Sequence, residues 1–374
     1  MFSGSTKRVA AIYVVVIAAI AAAALITRSE AAAVVGQTRT VELPKLAAES
    51  RTQMVEPSKP DAKTDDALRA EYRRPQFIPF PKNNPYTAEK AALGKKLYFD
   101  TRLSEAHLLS CASCHNPAYA WGDGQPRGIG HLMKELGRRS PSIVNAAYGQ
   151  IFMWDGRMAS LEQQALGPIT GDTEMALSLD ELLTRIKAIP EYKPLFAAAF
   201  PGQEISANII ARAIATFERT VVSERAPFDA WIDGDANAIS ESAKRGFTLF
   251  NGKAQCSQCH SSWRFTDDSF HDIGLPSDDI GRGKFLPGVA PAQYAFKTPG
   301  LREIGRRAPY MHDGSLPTLA AVVDHYNSGG VARESRSEFV KPLGLTMQEK
   351  DDLAAFMQTL TSDMDPTLIP VLPR

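Results

Sequence analysis

The chain has 374 residues, and its 42 acidic and 42 basic side chains cancel to a formal net charge of zero. A nucleic-acid partner normally demands a basic surface, so that class is disfavoured. The length admits two domains, and with only 8% aromatic residues each Trp carries weight.

The N-terminus opens with Lys7 and Arg8, an uncharged apolar run from Val9 to Ile26, and then small residues. This is the pattern of an export signal, with Ala31 or Ala33 suited to cleavage. The apolar run also approaches the ~20 residues needed to span a bilayer, so residues 1–33 read as a signal peptide or an N-terminal anchor. No later segment is apolar enough to span. Residues 34–75 are polar, charged and broken by proline ("VEPSKPDAKTDD"), and are expected to form a flexible linker.

Folding is expected to begin at the proline-rich "RPQFIPFPKNNP". Helical periodicity then recurs. "SLDELLTRIKAI" (178–189) has a Ser N-cap followed three residues later by Glu181. "SANIIARAIATFERTVV" (206–222) and "TMQEKDDLAAFMQTLTS" (346–362) space their apolar residues as helices do. No convincing run of alternating strand residues is present. Gly, Asp and Asn interrupt the pattern near residues 228–240, which sets an expected boundary between 76–235 and 236–374. The two halves share a plan. "EKAALGKKLYFD", ahead of "CASCH", and "SAKRGFTLFNGKAQCSQCH" each place a short amphipathic helix and an aromatic-rich turn before a cysteine motif.

Those motifs, residues 111–115 and 256–260, use all four cysteines, and a histidine follows each pair directly. A four-ligand zinc site would use both pairs but leaves the fixed histidines unexplained. A redox dithiol needs one pair and usually sits beside a βαβ pattern. Covalent haem c accounts for every position. Cys111 and Cys114, and Cys256 and Cys259, add to the porphyrin vinyl groups, while His115 and His260 bind iron from below. Haem c is assembled outside the bacterial cytoplasm, which agrees with an export signal. The fold class expected is mainly α, two cytochrome c-type haem lobes with long loops. What lies on the far side of each iron decides function. A permanent sixth ligand makes an electron carrier, and an open position allows chemistry on peroxide. Spacing alone does not choose among His107, His131, His271, His312 and His325.

Three stretches carry a family resemblance. "LGKKLYFDTRLS" (93–104), "FMWDGRMASLEQQALGPITGDTEM" (152–175) and "AFKTPGLREIGRRAPYMHDGSLPTLAAVVDHY" (295–326) resemble the signatures of bacterial di-haem cytochrome c peroxidases and the related MauG proteins. The likeness runs from about residue 77 to residue 362. It implies that Trp154 lies between the two haems as an electron relay. It also implies that Glu174 is the distal acid–base group of the peroxidatic first haem, with Gln164 as a second distal polar group. The residue fourteen after the histidine of the "YMHDG" element is a methionine ligand in the peroxidases and a tyrosine in MauG proteins; here it is Tyr326. Met311 is expected to pack in the core. In classical peroxidases a loop histidine sixteen residues after the motif histidine caps the first iron at rest, and that position here is His131. The chain thus pairs a MauG-like tyrosine with a peroxidase-like loop histidine, which is expected either to cap the iron or to stand exposed.

Two positions depart from the family. Arg139 stands where a calcium-binding Asn is often found, which puts a calcium ion between the haems in doubt. Ala254 replaces the surface Trp of MauG proteins that mature methylamine dehydrogenase, and Trp263 is another aromatic outlet to weigh against a plain surface covering of the haem edge. The expected protein is an exported, periplasmic di-haem enzyme with two covalently bound haems c. It reduces H2O2 at the first haem with electrons relayed through the second. The donor is a partner protein, as for MauG, or a small periplasmic cytochrome or cupredoxin. The rival from another class is a di-haem carrier without catalysis, against which Glu174 speaks, since a carrier has no use for a distal acid.

Overall fold

The structure, a computed structural model, describes residues 65–374. The expected signal or anchor at 1–33 and most of the expected linker lie outside the described residues. Among the described residues no helix is long and apolar enough to cross a membrane.

Eleven α-helices and one pair of two-residue strands are formed there. The helices are α1 (Asp65–Glu71), α2 (Ala88–Phe99), α3 (Cys111–Cys114), α4 (Leu161–Thr170), α5 (Leu179–Ala188) and α6 (Tyr192–Ala199). Then come α7 (Ala207–Thr220), α8 (Pro227–Ile232), α9 (Glu241–Asn251), α10 (Leu319–Ser328) and α11 (Met347–Gln358). Strands β1 (Phe270–His271) and β2 (Phe296–Lys297) pair antiparallel. Most long helices start on a hydroxyl cap that satisfies a free backbone N–H. Ser178 accepts from Glu181 N, Ser206 from Ile209 N and Ser240 from Ala243 N. Thr346 and Glu349 form a reciprocal capping box.

Two hydrophobic cores form. The first runs from Leu93 to Val221 in α2 and α4–α7. The second takes Tyr72 and then Phe228 to Leu360, in α8–α11. The chain passes from one core to the other between Val221 and Phe228, ahead of the boundary expected at 235/236. The aromatic side chains explain the shift. Phe228 and Trp231 on α8 pack edge-on or tilted against Phe247 of α9, 5.6 and 5.2 Å away, which ties α8 to the second lobe before the Gly-Asp break. The linker expected to reach residue 75 also ends earlier. Helix α1 forms within it, and Tyr72 stacks on Phe265 at 4.9 Å while its hydroxyl donates to Asn251 Oδ1 at 2.8 Å.

The repeat seen in sequence becomes a repeated helix crossing. Helix α2 crosses α7 in the first lobe, and α9 crosses α11 in the second. Each crossing is closed by a glycine. A Cβ on Gly94 would lie 1.9 Å from Ala213 O, and one on Gly246 would lie 2.0 Å from Asp352 O. Only a residue without a side chain lets the backbones meet this closely. Between the helices run two long segments, 115–160 and 252–318, with only short 3₁₀ turns and the strand pair. These segments carry most of the site.

Candidate active site

Each cysteine motif opens onto a cavity. The first is lined by Cys111, Cys114 and His115 together with Gln164, Glu174 and Arg157, and its volume is about 350 Å³. The second is lined by Cys256, Cys259, His260, Met311, His312 and Tyr326, and its volume is about 160 Å³. Trp154 belongs to the walls of both.

The two motif histidines are held alike. His115 Nδ1 lies 2.8 Å from Pro141 O, and His260 Nδ1 lies 2.8 Å from Phe265 O. A carbonyl accepts only from N–H, so Nδ1 carries the proton and Nε2 keeps its lone pair for a metal. Burial lowers both pKa values, which keeps the rings neutral.

Trp154 is fixed from both sides. Its Nε1–H donates to Arg139 O at 2.8 Å, and Lys297 N–H donates to its carbonyl at 2.8 Å. Its ring meets His312 edge-on at 6.4 Å. His312 in turn stacks on Phe296 with centroids 3.6 Å apart and planes 13° from parallel. Burial pushes the His312 pKa down to about 4, and its Nε2 has no hydrogen-bond partner. In the sequence His312 is one of five histidines among which spacing does not choose. An edge-on aromatic pair between two cavities leaves no signal in spacing.

Glu174 follows helix α4 on the turn that brings Glu174 N–H to Gly171 O at 2.9 Å. Burial raises its carboxyl pKa, and Arg157 pulls it partly back. Gln164, on α4, reaches toward Met153, with Nε2 3.9 Å from the sulfur. Gln164 and Glu174 thus line the same cavity as His115. Tyr326 sits in the last turn of α10, which begins after the Thr318 cap and ends at Gly329 with φ +81°. Burial, with Cys256 and Cys259 nearby, raises the phenol well above its ordinary pKa. Met311 lines the same wall rather than the core proper, at a φ of +75°.

His131 is not among the residues that line the first cavity, although Gly130 is. Its backbone N–H donates to Glu174 O at 2.7 Å, while its imidazole Nε2 lies 3.2 Å from Glu105 Oε2. Of the remaining histidines, only His271 lines the second cavity with His312. His107 is exposed, His271 Nε2 pairs with Asp267 at 2.8 Å, and His325 Nε2 lies 3.0 Å from Ile273 O. Arg139, the residue set against calcium, is buried and donates from Nη2 to Arg307 O at 2.6 Å.

The cavities suit haem on grounds beyond the cysteines. Arg139 and Arg307 line the second cavity, and each has a buried Nε–H without a partner. Arg302 and Arg307 also line the chamber between the lobes, with His115 and Trp154. Burial drags both guanidiniums down to about 10. Arg302 is paired with Asp229 at 2.9 Å, but the idle donors of buried Arg139 and Arg307 call for anions, which haem propionates would supply. Of the three arginines in "LREIGRR", Arg302 and Arg307 are buried while Arg306 is exposed, a difference that spacing does not show.

Comparison with known proteins agrees with this reading. Residues 88–237 match the family described as di-haem cytochrome c peroxidase. The chain is 52% identical over 318 residues to a methylamine utilization protein MauG of Methylorubrum extorquens, covering 84% of this chain and 90% of that protein. It is 39% identical to a cytochrome-c peroxidase of a Pseudomonas species, covering 78% of this chain and 87% of the relative. The crystal structure of a MauG-like protein associated with microbial copper homeostasis superposes with a TM-score of 0.72 at 34% identity, over 78% of this chain and 95% of that one. With one attachment motif in each lobe, the chain carries two covalently bound haems c and belongs to the di-haem cytochrome c peroxidase family, with MauG proteins among its relatives.

Proposed function

We propose that H2O2 reacts in the first cavity, with Glu174 as its acid–base group, and that electrons reach it from the second lobe through Trp154. The overall change is H2O2 + 2H⁺ + 2e⁻ → 2H2O. Haem held by His115 supplies the redox chemistry on oxygen, and the protein places protons and electrons around it. The observation that carries the reading is that Glu174 and His115 wall one cavity while Trp154 walls both. A carboxyl raised by burial holds its proton closer to neutral pH. It is therefore matched to taking a proton from one peroxide oxygen and returning it to the other. Gln164 orients the peroxide by hydrogen bonding. On the second side, Tyr326 lines the cavity of His260, and as a phenolate ligand it would favour the ferric state.

The electron donor in this reading is a partner protein in the periplasm, supported by the likeness to a methylamine utilization protein. Ala254 is buried and offers no outlet. Trp263 is part-exposed, stacks edge-on against Tyr148 at 4.7 Å, and accepts a bond from Arg302 at its carbonyl, which suits it as the outlet. A small cytochrome or cupredoxin as donor is the second reading, favoured by the 39% identity to a cytochrome-c peroxidase.

Stopped-flow mixing of the holoprotein with H2O2 tests the core of this proposal. Glu174→Gln removes the titrating group with little change in shape. The rate of the peroxide-dependent absorbance change is expected to fall by about 10²–10⁴, the span of general acid–base catalysis. An unchanged rate would remove Glu174 from the reaction.

A further inference from the structure

We propose that Glu218 is a redox-linked proton site of the first haem, taking up one proton when that haem gains an electron and releasing it on oxidation. Glu218 lies on α7, in the "FERT" stretch, which the peroxide chemistry above does not use. Its side chain lines the first cavity together with Cys111, Cys114 and His115. The residue is only 4% exposed, and its Oε2 is buried with no hydrogen-bond partner. A core position with this geometry is ordinarily apolar or paired. Here the unpaired group is a carboxyl that faces the haem cavity.

The surroundings give Glu218 no counter-ion of its own. Arg219, next in the helix, is committed to Glu162 through bonds of 2.7 and 3.0 Å. The other titratable neighbours are Tyr98 on α2, Cys111 at the haem attachment and Glu162 on α4. None of these is a cation. Burial pushes the carboxyl up to about 8, with Arg219 opposing and Glu162 reinforcing the shift. The oxidised protein therefore keeps this proton at neutral pH and loses it as pH rises through about 8, so uptake on reduction operates above that point.

An electron added within the cavity makes the local potential more negative and raises the carboxyl's proton affinity further. In a low-dielectric site that coupling is strong. The step balances as one electron from the donor that peroxide reduction already requires and one proton from solvent. The cavity wall reaches solvent at Lys284, whose side chain is 50% exposed. The proposal rests on the first haem occupying this cavity and not on the role given to Glu174.

The test is spectroelectrochemical titration of the holoprotein between pH 6 and 9.5. The first-haem midpoint should fall with pH, by up to about 59 mV per unit, the one-electron equivalent of a tenfold change in proton concentration. In Glu218→Gln the part of that slope above about pH 8 should vanish, while Glu218→Asp keeps a displaced slope. The second-haem midpoint should follow the same pH course in all three. A Glu218→Gln slope equal to that of the unaltered protein overturns the proposal. Should the variants fail to fold, a pH-indicator dye reports proton uptake when the unaltered protein is reduced with dithionite. Uptake that peaks above pH 8 is expected, and absence of any uptake between pH 8 and 9.5 overturns the proposal.

Discussion

Replacing Gly246 by Ala should open the second lobe and leave the first intact. The new Cβ would sit 2.0 Å from Asp352 O and 2.7 Å from Phe356 Cβ. The first of these is backbone on the opposite helix and has no rotamer to escape through. Ordinary contact begins near 3.4 Å, so α9 and α11 must part by about 1.4 Å at this point, the difference between 3.4 and 2.0. That separation strains the bonds spanning the crossing, in which Asp352 accepts from Ser242 at 2.6 Å and from Arg245 at 2.8 Å. Overpacking of this kind costs about 1–3 kcal/mol, while Ala in place of Gly returns up to about 1 kcal/mol of helix propensity. A net loss of about 1 kcal/mol would lower Tm by at most about 2–4 °C, the span for chains of about 150–250 residues. Phe250 on α9 and Leu353 and Met357 on α11 wall the second cavity, so the absorption of the second haem should shift while that of the first does not. Thermal unfolding by circular dichroism and optical spectra of the ferric protein make the comparison. Gly137→Ala is the control, because a Cβ there meets nothing within 4 Å. An unchanged or raised Tm for Gly246→Ala, with an unshifted second-haem spectrum, would refute the reasoning about the crossing.

Other outcomes follow from the same geometry. Tyr326→Phe removes the hydroxyl from the second cavity, and the second haem's optical and EPR signals should change; identical spectra would show that the phenol is no ligand. His131→Ala should leave the resting first-haem spectrum unaltered, because the imidazole faces Glu105 rather than the cavity; conversion of a low-spin signal to high-spin would show that the loop reaches the iron. Glu218 should also impose a pH dependence on stability. Its raised folded-state value means its contribution is fully present below the ordinary carboxyl value of 4.5 and lost as pH rises through about 8. Thermal unfolding should therefore show Glu218→Gln gaining on the unaltered protein between pH 5 and 9, and parallel curves would contradict this.

Much of the site is legible in the sequence because covalent chemistry and local geometry demand fixed spacing. The Cys-x-x-Cys-His units require five consecutive positions, and the N-caps Ser178, Ser206 and Thr346 mark helices that form within a few residues of the expected spans. The matching glycines of the two repeated stretches, Gly94 and Gly246, turn out to be the crossing points. What spacing does not reveal depends on contacts distant in sequence. Tyr72 joins the second core by packing on Phe265, far along the chain, so a polar linker reading extends too far. Helix α8 belongs to the second lobe because Phe228 and Trp231 find Phe247, which no local break signals. His312, Arg302, Arg307 and Glu218 look like ordinary polar residues until burial is known. For Glu218 the "FERT" stretch even reads as the tail of an amphipathic helix, where a glutamate is expected to face water.

The most direct measurement is the optical and EPR spectrum of the purified ferric holoprotein before and after one equivalent of H2O2, with no reductant present. The account predicts a first haem open to peroxide at rest and a change at both haems within seconds, because Trp154 walls both cavities. Two low-spin haems that ignore peroxide until an electron is added, or a change confined to the first haem, would contradict it.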